Sequence, residues 1–148
     1  MSVTIIPATK THHPQLLSMF VAHAHHEQHT LHIDDQLQTM GALDTLPVEL
    51  FIIELKHTTI GYFSVIPQFS TWDMKEYLYL DCLFFQDTYR GMGIGQSVMG
   101  YIFDLAKRRG YQQVQWQTPH TNQSAIKFYI AQGAKPKAKQ RFFYAINE

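Results

Sequence analysis

The spacing of apolar and polar positions changes several times along the chain, and each change marks an element. Val3 to Ile6 is a short apolar run closed by Pro7 and reads as a first strand. Thr11 is placed to cap a helix with Pro14 in its first turn, where a missing N–H costs nothing. Leu16, Leu17, Phe20 and Val21 carry that helix toward His26. A second helix is predicted over Asp34 to Met40, ending near Gly41. Leu50 to Leu55 and Ile60 to Ile66 predict two antiparallel strands joined through His57-Thr58-Thr59. Tyr77 to Phe85 is almost wholly apolar, as a central strand covered on both faces requires. Beyond a glycine-rich stretch, Val98, Ile102, Leu105 and Ala106 line one helical face, stopped by Gly110. Val114 to Gln117 predicts a strand, Asn122 to Ala131 a helix with Gly133 past its end, and Arg141 to Ile146 a last strand. This order of elements predicts an α/β domain with a mixed sheet.

Composition narrows the class. With 148 residues, 45% of them hydrophobic, the chain suffices for one core, so a single domain over 1–148 is expected. A net charge of zero argues against nucleic acid or an anionic membrane as the main partner. No run of about 20 apolar residues is present, and the N-terminal stretch lacks the apolar core of a secretion signal. The one cysteine, Cys82, excludes a disulfide framework and suits a reducing cytoplasm. Its apolar neighbours predict a buried structural thiol.

The stretch Tyr89-Arg90-Gly91-Met92-Gly93-Ile94-Gly95 carries the first chemical signal. Glycines alternating with apolar residues at a helix start leave successive backbone N–H groups unshielded. With the positive end of the helix dipole, these amides make a phosphate cradle, and Arg90 adds a forked cationic donor. It is not a P-loop, because Gly95 is followed by Gln96 and Ser97 rather than Lys and Ser or Thr. Nor is it a dinucleotide-binding turn, which needs two residues between its last glycines and an acid about 20 positions on. Helix-start punctuation is the plainer alternative for three glycines.

Three segments together resemble the GNAT superfamily of acetyl-CoA-dependent N-acetyltransferases: IIPAT near the start, LDCLFFQDTYRGMGIGQSVM, and NQSAIKFYIAQGA. The family's loop signature falls on Arg90, Gly93 and Gly95, and its later helix on Asn122, Ala125, Phe128, Tyr129 and Gly133. Within the superfamily the chain is most similar to diamine acetyltransferases of the spermidine/spermine type, with Trp72 upstream of the central strand in a matching place. That branch tends to carry two adjacent acids where this chain has Asp81 and Cys82.

The resemblance implies an α/β (α+β) fold with a mixed, mostly antiparallel central sheet flanked by helices. It implies acetyl-CoA as co-substrate, a small cationic amine as acceptor, and a homodimer; no metal and a cytoplasmic location are expected from the residues themselves. Acetyl-CoA would be bound by Leu83, Phe84 and Phe85 where the central strand parts from the next. Arg90, Gly91, Met92, Gly93, Ile94, Gly95 and Gln96 would hold its diphosphate, with Asn122, Ser124, Ala125 and Phe128 in the later helix. The N–H of Leu83 would face the thioester oxygen, where a fixed donor stabilises developing charge. Asp81 would take the proton of the attacking ammonium, directly or through water; an outward-facing or salt-bridged acid is the alternative. His120 is a second candidate base. Tyr129 would protonate the leaving thiolate, or else serve as a core aromatic beside Ile126 and Phe128.

His23, His25, His26, His29 and His32 cluster in or beside the first helices. Helical spacing of His25, His29 and His32 would suit zinc or nickel, but without cysteine or fixed carboxylate spacing solvated surface histidines are expected. In the resembled fold this region borders the acceptor pocket, so Glu27 is expected to contact the acceptor, together with Trp72 and Asp81; Asp34 and Asp35 are further candidates. The expected reaction is direct acetyl transfer from acetyl-CoA to a primary amine in a ternary complex. The alternatives are an aminoglycoside or peptide/protein N-acetyltransferase, and a non-catalytic acyl-CoA sensor.

Overall fold

The computed structural model describes residues 3–29 and 46–147; the helix expected over Asp34 to Met40, with His32, Asp34 and Asp35, lies outside them. The chain divides into two compact units, Met1–Gln117 and Thr118–Glu148. The first holds β1 (Thr4–Pro7), a 3-10 turn (Lys10–His12), α1 (His13–His26), β2 (Glu49–Leu55), β3 (Thr58–Ser70), β4 (Lys75–Phe85), a second 3-10 turn (Asp87–Tyr89), α2 (Ile94–Arg108) and β5 (Val114–Gln115). The five strands form one sheet in sequence order. β1 to β4 pair antiparallel, and β5 joins β4 in parallel. The sheet is mixed, as the order of elements predicted, and mostly antiparallel, as the resemblance implied.

Each face of the sheet has its own apolar cover. On one face, Leu16 and Met19 of α1 are buried with Ile52, Tyr62 and Phe84. On the other, Phe51 and Phe63 stack with ring centroids 4.8 Å apart, each 6.2 Å from Tyr101 of α2. The face of α2 predicted from Val98, Ile102, Leu105 and Ala106 is buried throughout, together with Ile94 and Met99. Full burial of each large side chain contributes roughly 1.5–3 kcal/mol, which makes these two layers the main source of stability.

Two irregularities shape β4. Gly61 of β3 pairs with Phe85. A Cβ at Gly61 would collide with the Phe84 carbonyl oxygen and lie 2.7 Å from the Phe85 Cβ, so only glycine permits this approach. Farther back, Cys82 pairs with Ser64 while Leu80 pairs with Val65, leaving Asp81 as the extra residue of a β-bulge. The bulge changes which face the strand presents. Leu80 shares a face with Val65, whereas Cys82 and Phe84 lie with Ser64 and Tyr62 on the face toward α1.

The second unit holds α3 (Gln123–Ala131). Asn122 caps it, accepting a hydrogen bond from the Ala125 N–H at 3.2 Å, and Gly133 follows its end as expected. The strand predicted over Arg141 to Ile146 is not formed, and Val114–Gln115 is shorter than the strand expected to reach Gln117. Strands exist by pairing, and residues 135–147 have no strand in their own unit to pair with. Phe142, Phe143, Tyr144 and Ile146 are accordingly exposed.

Candidate active site

The open edge of β4 organises the site. β5 pairs with β4 only at Leu78 and Tyr79, with the Leu78 N–H donating to the Gln113 carbonyl at 3.0 Å. Past Tyr79 that side of β4 has no strand beside it among the described residues of the first unit. At the far end of the strand the Gln86 N–H donates to Ile60 of β3 at 3.0 Å. Alternation along a strand then aims the N–H groups of Leu83 and Phe85 away from β3, into the open side. Before Asp81 the even-numbered amides faced this side, and after it the odd-numbered ones do. The bulge makes that exchange, and it is why the Leu83 N–H points to the side of β4 away from β3.

The glycine loop continues from β4. Gly91 and Gly93 both have φ +77°, a left-handed conformation that a side chain resists, and Gly93 is the N-cap of α2 with no side chain capping the helix. The N–H groups of Ile94, Gly95 and Gln96 have no acceptor within the helix, because the first turn of any helix lacks one. These amides therefore form an exposed set of donors at a positive helix end, the surroundings an anion binds in. Arg90 is less free than its sequence position suggested. Its Nε donates to Asp87 Oδ1 at 2.6 Å, its Nη2 lies 3.4 Å from His26 Nε2, and its guanidinium sits 5.7 Å from the Phe85 ring centroid.

Asp81 is exposed at the bulge, and a seam of polar side chains runs from it toward α1. The Cys82 thiol donates to Asp81 Oδ2 at 3.7 Å. Cys82 also shares hydrogen bonds with Tyr62 and Ser64. Tyr62 Oη lies 2.7 Å from His23 Nδ1, and His23 Nε2 lies 4.0 Å from Glu27 Oε1. The His23 ring stacks on Phe84 with centroids 5.2 Å apart. Burial, with the Asp81 charge second, raises the Cys82 pKa to about 11, so the thiol stays protonated. Burial likewise pushes the Tyr62 hydroxyl well above the usual phenol range. Burial lowers the His23 pKa against the opposing pull of Glu27.

The remaining candidates fall in different places. Glu27 is the C-cap of α1, and His29 has already left the helix, which ends at His26 with Gln28 at φ +55°. The shared helical face of His25 and His29 is therefore not formed. Among the described residues no group of three or more His, Cys, Asp or Glu side chains is gathered for a metal. Trp72 is 94% exposed in the β3–β4 turn. Six strand residues, about 20 Å, separate the β4 end of that turn from Asp81, so the two are not brought together. In the second unit, the Asn122 side chain is engaged as a cap and Ser124 Oγ donates to it at 3.3 Å. The Phe128 and Tyr129 rings lie 5.4 Å apart, and both side chains are half-buried.

The geometry has a counterpart among known proteins. The profile of the Acetyltransferase (GNAT) family matches residues 13–134. The chain belongs to this family. It is similar to the thialysine N-epsilon-acetyltransferase of Caenorhabditis elegans, 24% identical over 126 residues, spanning 84% of this chain and 78% of that protein. Its fold matches an integron cassette protein, VCH_CASS6, from the mobile metagenome of V. cholerae, with a TM-score of 0.82 at 22% identity over 99% of this chain and 94% of that one. It also matches AAC(6')-Iy, solved with the bisubstrate analogue CoA-S-monomethyl-acetylneamine, with a TM-score of 0.77 at 14% identity over 99% of both chains.

As a GNAT protein the chain is an acetyl-CoA-dependent N-acetyltransferase. The co-substrate supplies an activated acetyl thioester. Its needs fit what the first unit offers: donors without acceptors at the start of α2, and outward amides on an unpaired strand edge. Sequence reasoning missed the bulge, the Asp87–Arg90 pair and the His23–Tyr62 contact. Only the three-residue spacing of Asp87 and Arg90 was open to view beforehand.

Proposed function

We propose that this acetyltransferase transfers the acetyl group of acetyl-CoA to a primary amine of a small cationic acceptor, diamine or polyamine in type, by direct attack within a ternary complex. The observation that carries this is Asp81, an exposed carboxylate set by a bulge beside the open, donor-bearing edge of β4. An alkylamine is almost entirely ammonium at pH 7, with roughly one molecule in a few thousand free to attack. A carboxylate at this point both attracts the cation and takes its proton. The N–H of Leu83 is the proposed partner of the thioester oxygen, and the amides of Gly91 to Gln96 of the diphosphate. Glu27 is the proposed second carboxylate for the acceptor, compensating for Cys82 where the diamine branch tends to have an acid. Tyr129 is the proposed acid for the leaving thiolate, a role that rests on the family resemblance. A relative named for acetylating an ε-nitrogen supports an amine at the end of a short chain as acceptor.

Thiol release from acetyl-CoA, followed with putrescine, 1,3-diaminopropane, spermidine, thialysine, an aminoglycoside and a lysine peptide, tests this. Turnover highest with the diamines, spermidine or thialysine is the expected result. Preference for the aminoglycoside or the peptide would replace the acceptor class. Tight acetyl-CoA binding without turnover of any amine would leave a sensor.

A further inference from the structure

The polar seam between Asp81 and Glu27 has a histidine in its middle, and nothing in the acetyl transfer described above uses it. His23 is held on three sides. Tyr62 Oη bonds its Nδ1 at 2.7 Å, Phe84 stacks on its face at 5.2 Å, and Tyr62 also meets it edge-on at 5.8 Å. Its side chain keeps only 16% of its surface, while Glu27, 4.0 Å from Nε2, keeps 49%. A ring so placed cannot swing out to solvent without breaking the Phe84 stack and the Tyr62 bond.

The titratable groups around His23 come from three elements. From α1 and its cap come Glu27, which favours a positive ring, and His26, which opposes it. From β4 comes Asp81, which also favours it, and from β3 and β4 come Tyr62 and Cys82, which remain uncharged at neutral pH. The two carboxylates acting on His23 are therefore the same two proposed to receive the cationic acceptor. An imidazolium at this point satisfies them from within the protein, and an ammonium satisfies them from outside.

Resting on that reading of the acceptor, we propose that His23 is a charge gate of the acceptor site: neutral, it leaves Glu27 and Asp81 to the cationic amine, and protonated, it takes the amine's place. The gate acts at a defined atom. Neutral His23 with its proton on Nε2 accepts from the Tyr62 hydroxyl through Nδ1. The imidazolium has no lone pair to accept with, so Nδ1–H must donate to Tyr62 Oη. Tyr62 then turns its own proton toward Cys82, its other partner. The change thus reaches the residue that donates to Asp81.

Burial holds His23 below the ordinary histidine value of 6.5, so the gate stands open at neutral pH and closes in mild acid. The enzyme is expected to lose affinity for a diamine as pH falls through the His23 pKa, on the acid side of the ordinary histidine value.

The test follows acetyl transfer to 1,3-diaminopropane between pH 5.5 and 8, with the His23 ring titrated by NMR in the same protein. The KM for the diamine is expected to rise about tenfold for each pH unit below the His23 pKa, while the KM for acetyl-CoA stays flat. The variant His23→Gln should lose that rise. In the wild-type protein, saturating diamine should lower the His23 pKa, because two cations compete for one pair of carboxylates. This titration needs no variant and decides the matter if His23→Gln does not fold. An unchanged His23 pKa beside spectral shifts that show diamine binding, or the same KM profile in His23→Gln, would overturn the gate and leave the amine reading standing. Acetyl-CoA binding with no amine bound or turned over would bring down both.

Discussion

Asp87 holds Arg90: Nε and Oδ1 are 2.6 Å apart, three residues from each other at the mouth of the glycine loop. The guanidinium is thereby partly neutralised where a diphosphate is expected to bind. Both side chains are more than half exposed, so the pair itself adds little stability. Its effect is on the ligand. Asp87→Asn removes a like charge from the vicinity of the anion and releases Arg90 to meet it. Acetyl-CoA should bind roughly two- to fivefold more tightly in this variant, the range an exposed ion pair supports. Calorimetry at 50 and 300 mM salt checks this, and the gain should shrink at the higher concentration.

Gly93→Val probes the cradle itself. A Cβ at this position would meet nothing within 4 Å. The strain lies in φ +77°, which a β-branched residue tolerates poorly, at a cost of about 1–3 kcal/mol. The helix start would shift to relieve it and the amides of Ile94, Gly95 and Gln96 would lose their common direction. Acetyl-CoA affinity should fall at least tenfold, with a lower unfolding midpoint. Unchanged affinity would mean that these amides do not grip the co-substrate.

The layers of this fold were legible in the sequence wherever burial imposes a period. The apolar face of α2, the strand β2, and the helix ends before Gly110 and Gly133 lie where spacing placed them, while β3 contains the predicted Ile60 to Ile66 but runs from Thr58 to Ser70. Tyr77 to Phe85 shows the limit. A run apolar at nearly every position has no alternation to interrupt, so the extra residue at Asp81 left no trace. That one residue sets the face of Cys82 and the direction of the Leu83 amide, and hence most of the site. His23 and Tyr62 stand 39 residues apart, and no local pattern relates them. The segment from Arg141 to Ile146 misled for the opposite reason: its aromatic residues suit a strand, but a strand also needs a partner.

Cys82 should react slowly with thiol reagents despite being partly accessible. With a pKa near 11, only about one thiol in a thousand is thiolate at pH 8. A model thiol near 9.0 should therefore outpace it by about a hundredfold with DTNB under native conditions, and unfolding in urea should abolish the difference. Because the folded value lies above the unfolded one, the associated stability is fully present below pH 9 and lost as pH rises toward 11.

His23 makes the opposite contribution at the acid end. Its folded pKa lies below 6.5, so between the two values the unfolded chain binds the extra proton and stability rises with pH. The contribution is present above pH 6.5 and disappears as pH falls through the folded value. Urea midpoints measured at pH 7 and 5.5 should fall together with pH in the wild-type protein, and by less in His23→Gln.

The two proposed proton-transfer residues should fail in different ways. Asp81→Asn removes the base, and at pH 7 kcat/KM should drop by about a hundredfold to ten-thousandfold. The free fraction of an alkylamine grows tenfold for each pH unit up to its own pKa, so the loss should shrink steadily toward pH 9. Tyr129→Phe removes the proton supplied to the leaving thiolate, a need that alkali does not relieve. Its kcat should fall by about tenfold or more and the deficit should persist at pH 9. Rate profiles of both variants from pH 6.5 to 9 separate the roles, and parallel curves would mean that Asp81 is not the base.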